Sequence, residues 1–498
     1  MDVPVRTWDL ALPIERDAAA PVVAQIARAI SGHITAGRLR PGERLPGTRD
    51  LSRILHVHRN TVLAAYGELG AEGWVETSPS RGTFVSREIP SALRARQVAR
   101  GARAVRAAGY PFEPGPRARE TSRRGSGLIE LGGGVPDLSL VPVAAIARAY
   151  RRALRRPGIL DYGGPLGEER LREAIGAMLR STRGLDPDPA GLIVTRGSQF
   201  ALALVARALL RPGDVVGVEE LGYPSAWEAF LAAGARLVPL PLDESGLRVD
   251  GLEALVRRER VRALYLTPQH QYPTTVTLPA GRRLAILKLA AAERIVVVED
   301  DYDGDFHYDG RPVLPLASSD SAGIVVYVGT LSKILAPALR VGYVHAPPEV
   351  VSCLAAHRRY LDAQGDRAME LAIAELLEDG EIQQHVWRMR RAYAERRDVL
   401  ARALREALPD ALDFTVPAGG LALWCRTAPG IDVDRWAAAA REKGVVFAPA
   451  SEFAFDGRPR PALRVGFARL GERELREGAR RIAAALPSAG GGAARRPR

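Results

Sequence analysis

Between about residue 128 and residue 486, short apolar runs rich in β-branched residues, among them VVGVEE, ALYLTP, RIVVVEDD and GIVVYVGT, alternate with stretches rich in Ala, Leu and Arg that read as helices. A strand apolar on both faces has to be covered on both, and a parallel neighbour is reached only through a long crossover, which the helical stretches supply. The alternation therefore predicts an α/β domain built on a mostly parallel sheet. At 498 residues the chain has room for that domain and at least one more.

The first 86 residues carry a different pattern. Val22, Ile26, Ile30 and Ile34 recur every four residues, one face of a helix that ends near Gly37. After the turn RPGERLPGT, Thr48 is the expected N-cap of a short helix carrying Leu51 and Leu55. A third helix holds Val62, Ala65, Tyr66 and Leu69 on one side, and GWVET and GTFVS, separated by SPSRG, read as a hairpin. Three helices and a hairpin form a small α+β unit of the winged helix-turn-helix kind.

The formal charge of +12 is unevenly spread. Between Arg87 and Arg124 ten arginines face three acids, a net of +7, so more than half of the excess lies there. With the Pro/Gly-rich stretch YPFEPGPRARETSRRGSG, this marks residues 87–127 as an exposed basic linker between domains at 1–86 and 128–486. The tail 487–498, PSAGGGAARRPR, has no core-forming pattern and is expected to be mobile. No run of about 18 uncharged apolar residues occurs, so no membrane span is expected. The N-terminus carries acids rather than a signal layout, and two cysteines, Cys353 and Cys425, make no disulfide framework. A cytoplasmic protein with no metal site is the expectation.

A basic balance favours an anionic partner, and the helix-turn-helix makes that partner double-stranded DNA. Residues at the start of the third helix reach base edges or phosphates in such domains. Here they are His58, Arg59, Asn60 and Thr61, with Arg49 on the preceding helix. Arg forks onto guanine, Asn onto adenine, and Thr reaches a phosphate or a thymine methyl. At the hairpin tip, Arg81 followed by Gly82 lets the backbone approach DNA closely.

Only three of the basic residues are lysines, Lys288, Lys333 and Lys443, which makes each one informative. Lys288 lies in LAILKLA on a helix and Lys443 in REKG at a helix end, both ordinary surface contexts. Lys333 follows the apolar run GIVVYVG, at the strand end where ligands bind in open α/β sheets. A desolvated lysine there can form an imine with an aldehyde cofactor such as pyridoxal 5'-phosphate. That cofactor needs a carboxylate for its ring nitrogen, donors for its phosphate and an aromatic against its face. Asp300, at the end of RIVVVEDDYDGDF, is assigned to the nitrogen with Asp301 as fallback, and Tyr302, two residues on along an extended strand, to the phenolic oxygen. Gly197, Ser198 and Gln199 open a helix whose free N–H groups favour a phosphate, with Thr330 and Arg340 flanking Lys333. Tyr223 in GYP is the expected stacking ring, and Arg464 in LRVGF can fork onto the carboxylate of an amino compound.

From Pro21 to Val85, including the GRLRPGERLP turn and the closing RGTFV, the chain resembles GntR-type winged helix domains. The resemblance implies DNA contacts from Arg49, Arg59, Thr61 and Gly82. Gly47 and His58 stand where the family more often has serine, which removes the hydroxyls that would cap both helices. Residues 128–486 resemble the fold-type I aminotransferases, with large and small subdomains, through DYGGPLG, GSQ, GYP, EDDY, SK with its following arginine, and LRVGF. The whole chain resembles the MocR-type regulators.

The resemblance implies that Lys333 is the Schiff-base lysine, Asp300 the pyridine partner, Tyr302 the O3' donor, Tyr223 the stacking ring and Arg464 the carboxylate binder. It also implies a homodimer in which Tyr162 reaches the phosphate of the partner subunit. QYPTT replaces the aminotransferase NPTG loop, so that Tyr272 takes the asparagine's place. The region after Tyr223 reads YPSAWEAF, without the arginine of GabR-like members, which points away from γ-aminobutyrate as effector. The expected function is a pyridoxal phosphate-dependent regulator of transcription; the alternative is a working aminotransferase with an accessory DNA-binding domain.

Overall fold

The four-residue spacing of Val22, Ile26, Ile30 and Ile34 produces α1 (Val22–Thr35), which stops where Ala36 caps it and Gly37 turns at φ +72°. In the computed structural model, residues 12–88 and 127–487 are described, apart from Asp17, Ala19, Ser80 and Arg311. The expected linker and tail lie almost wholly outside the described residues. The chain divides into two units, residues 1–120 and 121–498.

In the first unit, α2 (Thr48–Ile54) and α3 (Arg59–Ala71) follow α1, then β1 (Val75–Ser78) pairs antiparallel with β2 (Gly82–Val85), Val75 opposite Val85. Thr48 is not the cap of α2. Gly47, with an extended backbone, holds that place, so Thr48 is already helical and α2 starts without a side-chain cap. At α3 the departure from serine costs less than expected, because His58 Nδ1 accepts from the Asn60 N–H at 3.3 Å. Ile26, Ile30, Ile34, Leu51, Val62, Ala65, Leu69, Val75 and Val85 close one core, and the Tyr66 hydroxyl donates to Pro46 O at 2.8 Å.

The second unit is built on a seven-stranded sheet. Its spatial order is Leu192–Thr195, Gly342–His345, Val325–Thr330, Val296–Asp301, Val261–Leu266, Val215–Glu219 and Arg236–Leu240. Gly342–His345 runs antiparallel to both neighbours and the other pairings are parallel, the mostly parallel sheet that the sequence pattern predicts. A second sheet of four strands has Ala422–Thr427 and Ala462–Gly466 at its centre. The Ile129–Glu130 strand pairs in parallel with Val445–Val446 beside it. The Leu131 N–H then donates to Val446 O at 2.7 Å, and so carries the following glycines to the second sheet.

Candidate cofactor pocket and DNA-binding face

The three acids that end the Val296–Asp301 strand are all buried, and the fold treats each differently. Glu299 accepts from the backbone N–H groups of Leu316 and Ala317. Asp301 is committed to structure: Arg183 Nε donates to it at 2.8 Å, the Gly304 N–H at 2.9 Å, and the Tyr327 hydroxyl also. Those donors hold its carboxyl below the usual range in spite of burial. Asp300 has one donor, the Tyr265 hydroxyl at 2.9 Å, and its Oδ1 is buried with no hydrogen-bond partner. Burial pushes the Asp300 carboxyl up to about 7. A buried acceptor left unpaired costs free energy, and of the three acids Asp300 is the one with an oxygen open to a further donor. The strand ends at Asp301 and Tyr302 lies just past it, its hydroxyl donating to His270 O at 2.7 Å.

Lys333 lies three residues beyond the Val325–Thr330 strand, and its Nζ donates to Gly134 O at 2.9 Å. Burial, with the Arg464 guanidinium adding to it, pulls this ammonium down to about 8. Lys288 and Lys443 are both exposed. The expected phosphate donors converge. Gly197, at φ +81°, caps the Ser198–Leu209 helix, and a Cβ added there would stand 3.0 Å from an Arg340 guanidinium nitrogen. Arg340 donates to Arg196 O at 3.0 Å, Gln199 to Ser225 O at 2.7 Å, and the Thr330 hydroxyl accepts from the Ser332 N–H at 3.1 Å. A helix N-terminus facing a guanidinium is a seat for an anion.

Tyr223 is half-buried and meets Tyr272 edge-on, ring centroids 5.5 Å apart. Arg464 is 1 % exposed, and none of its three guanidinium nitrogens has a hydrogen-bond partner. Its Cζ lies 4.5 Å from the Tyr272 ring centroid. An unpaired guanidinium is costly to bury, so Arg464 stands out as a buried cation with no hydrogen-bonded anion. Tyr162 stands apart, 89 % exposed on this chain.

Sequence reasoning missed Gly134, which anchors Lys333, Tyr265, which holds Asp300, and Ser332, whose buried Oγ has no hydrogen-bond partner. Ser332 had a signal, its adjacency to Lys333. Tyr265 lies on a neighbouring strand, two positions back in register from Asp300, and Gly134 reaches the site from 199 residues away, so neither had one.

On the first unit, Arg49, His58, Arg59, Asn60 and Arg81 are exposed and Thr61 is partly so. Arg59 Nε donates to Thr48 Oγ1 at 3.3 Å, which steers the side chain across the helix-turn-helix angle. Gly82 sits at φ +106°, and Arg44, which the sequence reading passed over, lies against it at 3.2 Å from where a Cβ would be. Among the described residues no helix is long and apolar enough to cross a membrane, and no three or more His, Cys, Asp or Glu gather as metal ligands.

Residues 126–482 match the family Aminotransferase class I and II, and residues 22–85 match Bacterial regulatory proteins, gntR family. The chain is similar to the Probable rhizopine catabolism regulatory protein MocR of Rhizobium meliloti, 33% identical over 94% of each chain. It is similar in structure to a multiple substrate aminotransferase from Thermococcus profundus, with a TM-score of 0.69 and 30% identity over 73% of this chain and 92% of that one. The α-aminoadipate aminotransferase LysN of Thermus thermophilus, solved complexed with N-(5'-phosphopyridoxyl)-L-leucine, gives a TM-score of 0.67 and 32% identity over 72% of this chain and 92% of that one. The chain therefore belongs to the MocR type of helix-turn-helix regulators, in which a GntR winged helix, a fold that implies DNA binding, is fused to a class I and II aminotransferase domain, a fold that implies pyridoxal phosphate.

Proposed function

We propose that this chain is a transcription regulator that binds promoter DNA through its winged helix and holds pyridoxal 5'-phosphate at Lys333, responding to the cofactor alone or together with an amino compound. The observation that carries this reading is the buried, unpartnered Oδ1 of Asp300 in the same pocket as the only half-buried lysine of the three. A pyridinium N–H is the donor this oxygen lacks, and pairing with a cation offsets the cost of an ionised carboxylate there. The residues fit the group. Gly197, Ser198, Gln199, Thr330 and Arg340 would hold the phosphate and Tyr223 the ring face, and Tyr302 would hold the phenolic oxygen by turning its hydroxyl from His270 O.

When bound, the cofactor supplies an aldehyde that condenses reversibly with primary amines. Lys333, with its pKa drawn down to about 8, keeps a share of neutral, nucleophilic amine near neutral pH. Arg464 would orient an incoming carboxylate, and Tyr162 of a second copy would reach the phosphate, making the working form a cytoplasmic homodimer on two half-sites. The match to MocR over 94% of each chain favours regulation over turnover, since the aminotransferases align with only 72% to 73% of this chain and an enzyme needs no winged helix.

The test is fluorescence anisotropy of the full-length protein on its own upstream DNA, across salt, with and without pyridoxal phosphate. A ligand bound equally by two states shifts neither, so the reading requires an affinity or footprint that changes with the cofactor. Weak, cofactor-independent binding that salt abolishes would leave charge as its only cause.

A further inference from the structure

In the second sheet Trp424 stands directly opposite Arg464 on one side and Ala448 on the other. Directly opposed residues of antiparallel strands send their side chains to the same face, so Arg464, Trp424 and Ala448 leave one face of this sheet side by side. Tyr272 covers it, 4.5 Å from ring centroid to Cζ. Tyr272 is itself packed edge-on by Tyr223 at 5.5 Å, Tyr302 at 5.7 Å and Phe453 at 5.4 Å, and Phe453 meets Trp424 at 6.4 Å. The unpaired cation is thus covered by one ring of an aromatic cluster.

We propose that the amino compound sensed here is an amino acid with one carboxylate and an uncharged, apolar side chain, the carboxylate taken by Arg464 and the side chain by the Tyr272, Phe453 and Trp424 rings. This rests on the reading of the Lys333 pocket as the cofactor site. A ring over the face of a guanidinium leaves its edge N–H groups free, and those are the groups a carboxylate forks onto. Arg464 is matched by one carboxylate and no more. Of the other ionic groups near Lys333, the lysine and Asp300 are engaged by the cofactor, and Asp303, whose Oδ1 lies 2.9 Å from His270 Nδ1 and whose Oδ2 has no hydrogen-bond partner, is an acid that repels a second carboxylate. A second carboxylate on the ligand would be stripped of water against aromatic faces without a matched partner, whereas an apolar side chain gains from the same contact.

The experiment titrates the full-length, cofactor-loaded protein with L-phenylalanine, L-leucine, L-glutamate and L-lysine and follows the absorbance of the cofactor. Phenylalanine and leucine are expected to change the spectrum at concentrations at least about tenfold below glutamate and lysine. In Trp424→Ala the ratio of the glutamate to the phenylalanine midpoint falls; an unchanged ratio removes the rings from the proposal. Glutamate or lysine acting at the lowest concentration, or all four acting alike, overturns it. A protein that takes up no cofactor fails the pocket reading itself, whereas normal uptake without preference fails only this inference.

Discussion

Lys333 and Asp300 are adjusted in opposite senses by the same burial. The lysine is drawn down from 10.5 to about 8 and the aspartate is pushed up from 3.8 to about 7. For a lysine lowered on folding, the unfolded chain binds more protons between about pH 8 and 10.5, so its penalty on the cofactor-free protein is full below 8 and fades as pH rises to 10.5. The same titration sets the supply of neutral amine. The rate of pyridoxal phosphate uptake by the cofactor-free protein, read from absorbance growth, is therefore expected to rise as pH increases through about 8; a rate flat from pH 7 to 9 would contradict the depressed lysine. Lys333→Ala is expected to abolish the adduct trapped by borohydride. Trapping that persists at the exposed Lys288 or Lys443 would move the site.

The recognition helix and the wing are elements whose exposed faces carry DNA binding while their buried faces hold the small core. Arg59→Ala leaves the core alone and is expected to cost about 1 to 3 kcal/mol of specific DNA affinity if the side chain reads a base. Equal weakening on all sequences would make it a phosphate contact instead. The wing depends on Gly82, whose φ of +106° an L-residue adopts only with strain and whose missing Cβ gives room to Arg44. Gly82→Ala should destabilise the hairpin by about 1 to 3 kcal/mol. Thermal unfolding of the full chain and anisotropy on DNA together check it, since a wing that tolerates alanine in both would show that the turn is not needed.

At the scale of the whole molecule, a winged helix and a cofactor pocket in one chain make a regulator only if the two are coupled, and the second copy is part of that proposal. Tyr162, exposed at 89 %, and the neighbouring Leu160, exposed at 84 %, are apolar surface a single chain does not cover. Sedimentation is expected to give a dimer, and Tyr162→Ala is expected to speed loss of pyridoxal phosphate on dialysis. Unchanged retention would detach Tyr162 from the phosphate.

What the sequence alone determined is whatever depends on local pattern. The four-residue spacing of Val22, Ile26, Ile30 and Ile34, the hairpin around SPSRG, and the alternation of apolar runs with helical stretches were all legible, because period and turn chemistry act on neighbours along the chain. So was the rarity of lysine that singled out Lys333. The cap of α2 was not, since Gly47 and Thr48 differ only in which backbone turns first. What only the tertiary structure decided is which of three adjacent acids keeps an oxygen without a partner. Arg183 and Tyr327 come from elsewhere in the fold to take Asp301 and leave Asp300 open, and no local pattern records that choice. The aromatic cluster at Arg464 is of the same kind: strand register sets Trp424 opposite Arg464, and Tyr272 reaches the guanidinium from a loop nearly two hundred residues away in sequence. Burial and pairing are set by neighbours in space, and these separated segments become neighbours only when the sheets assemble.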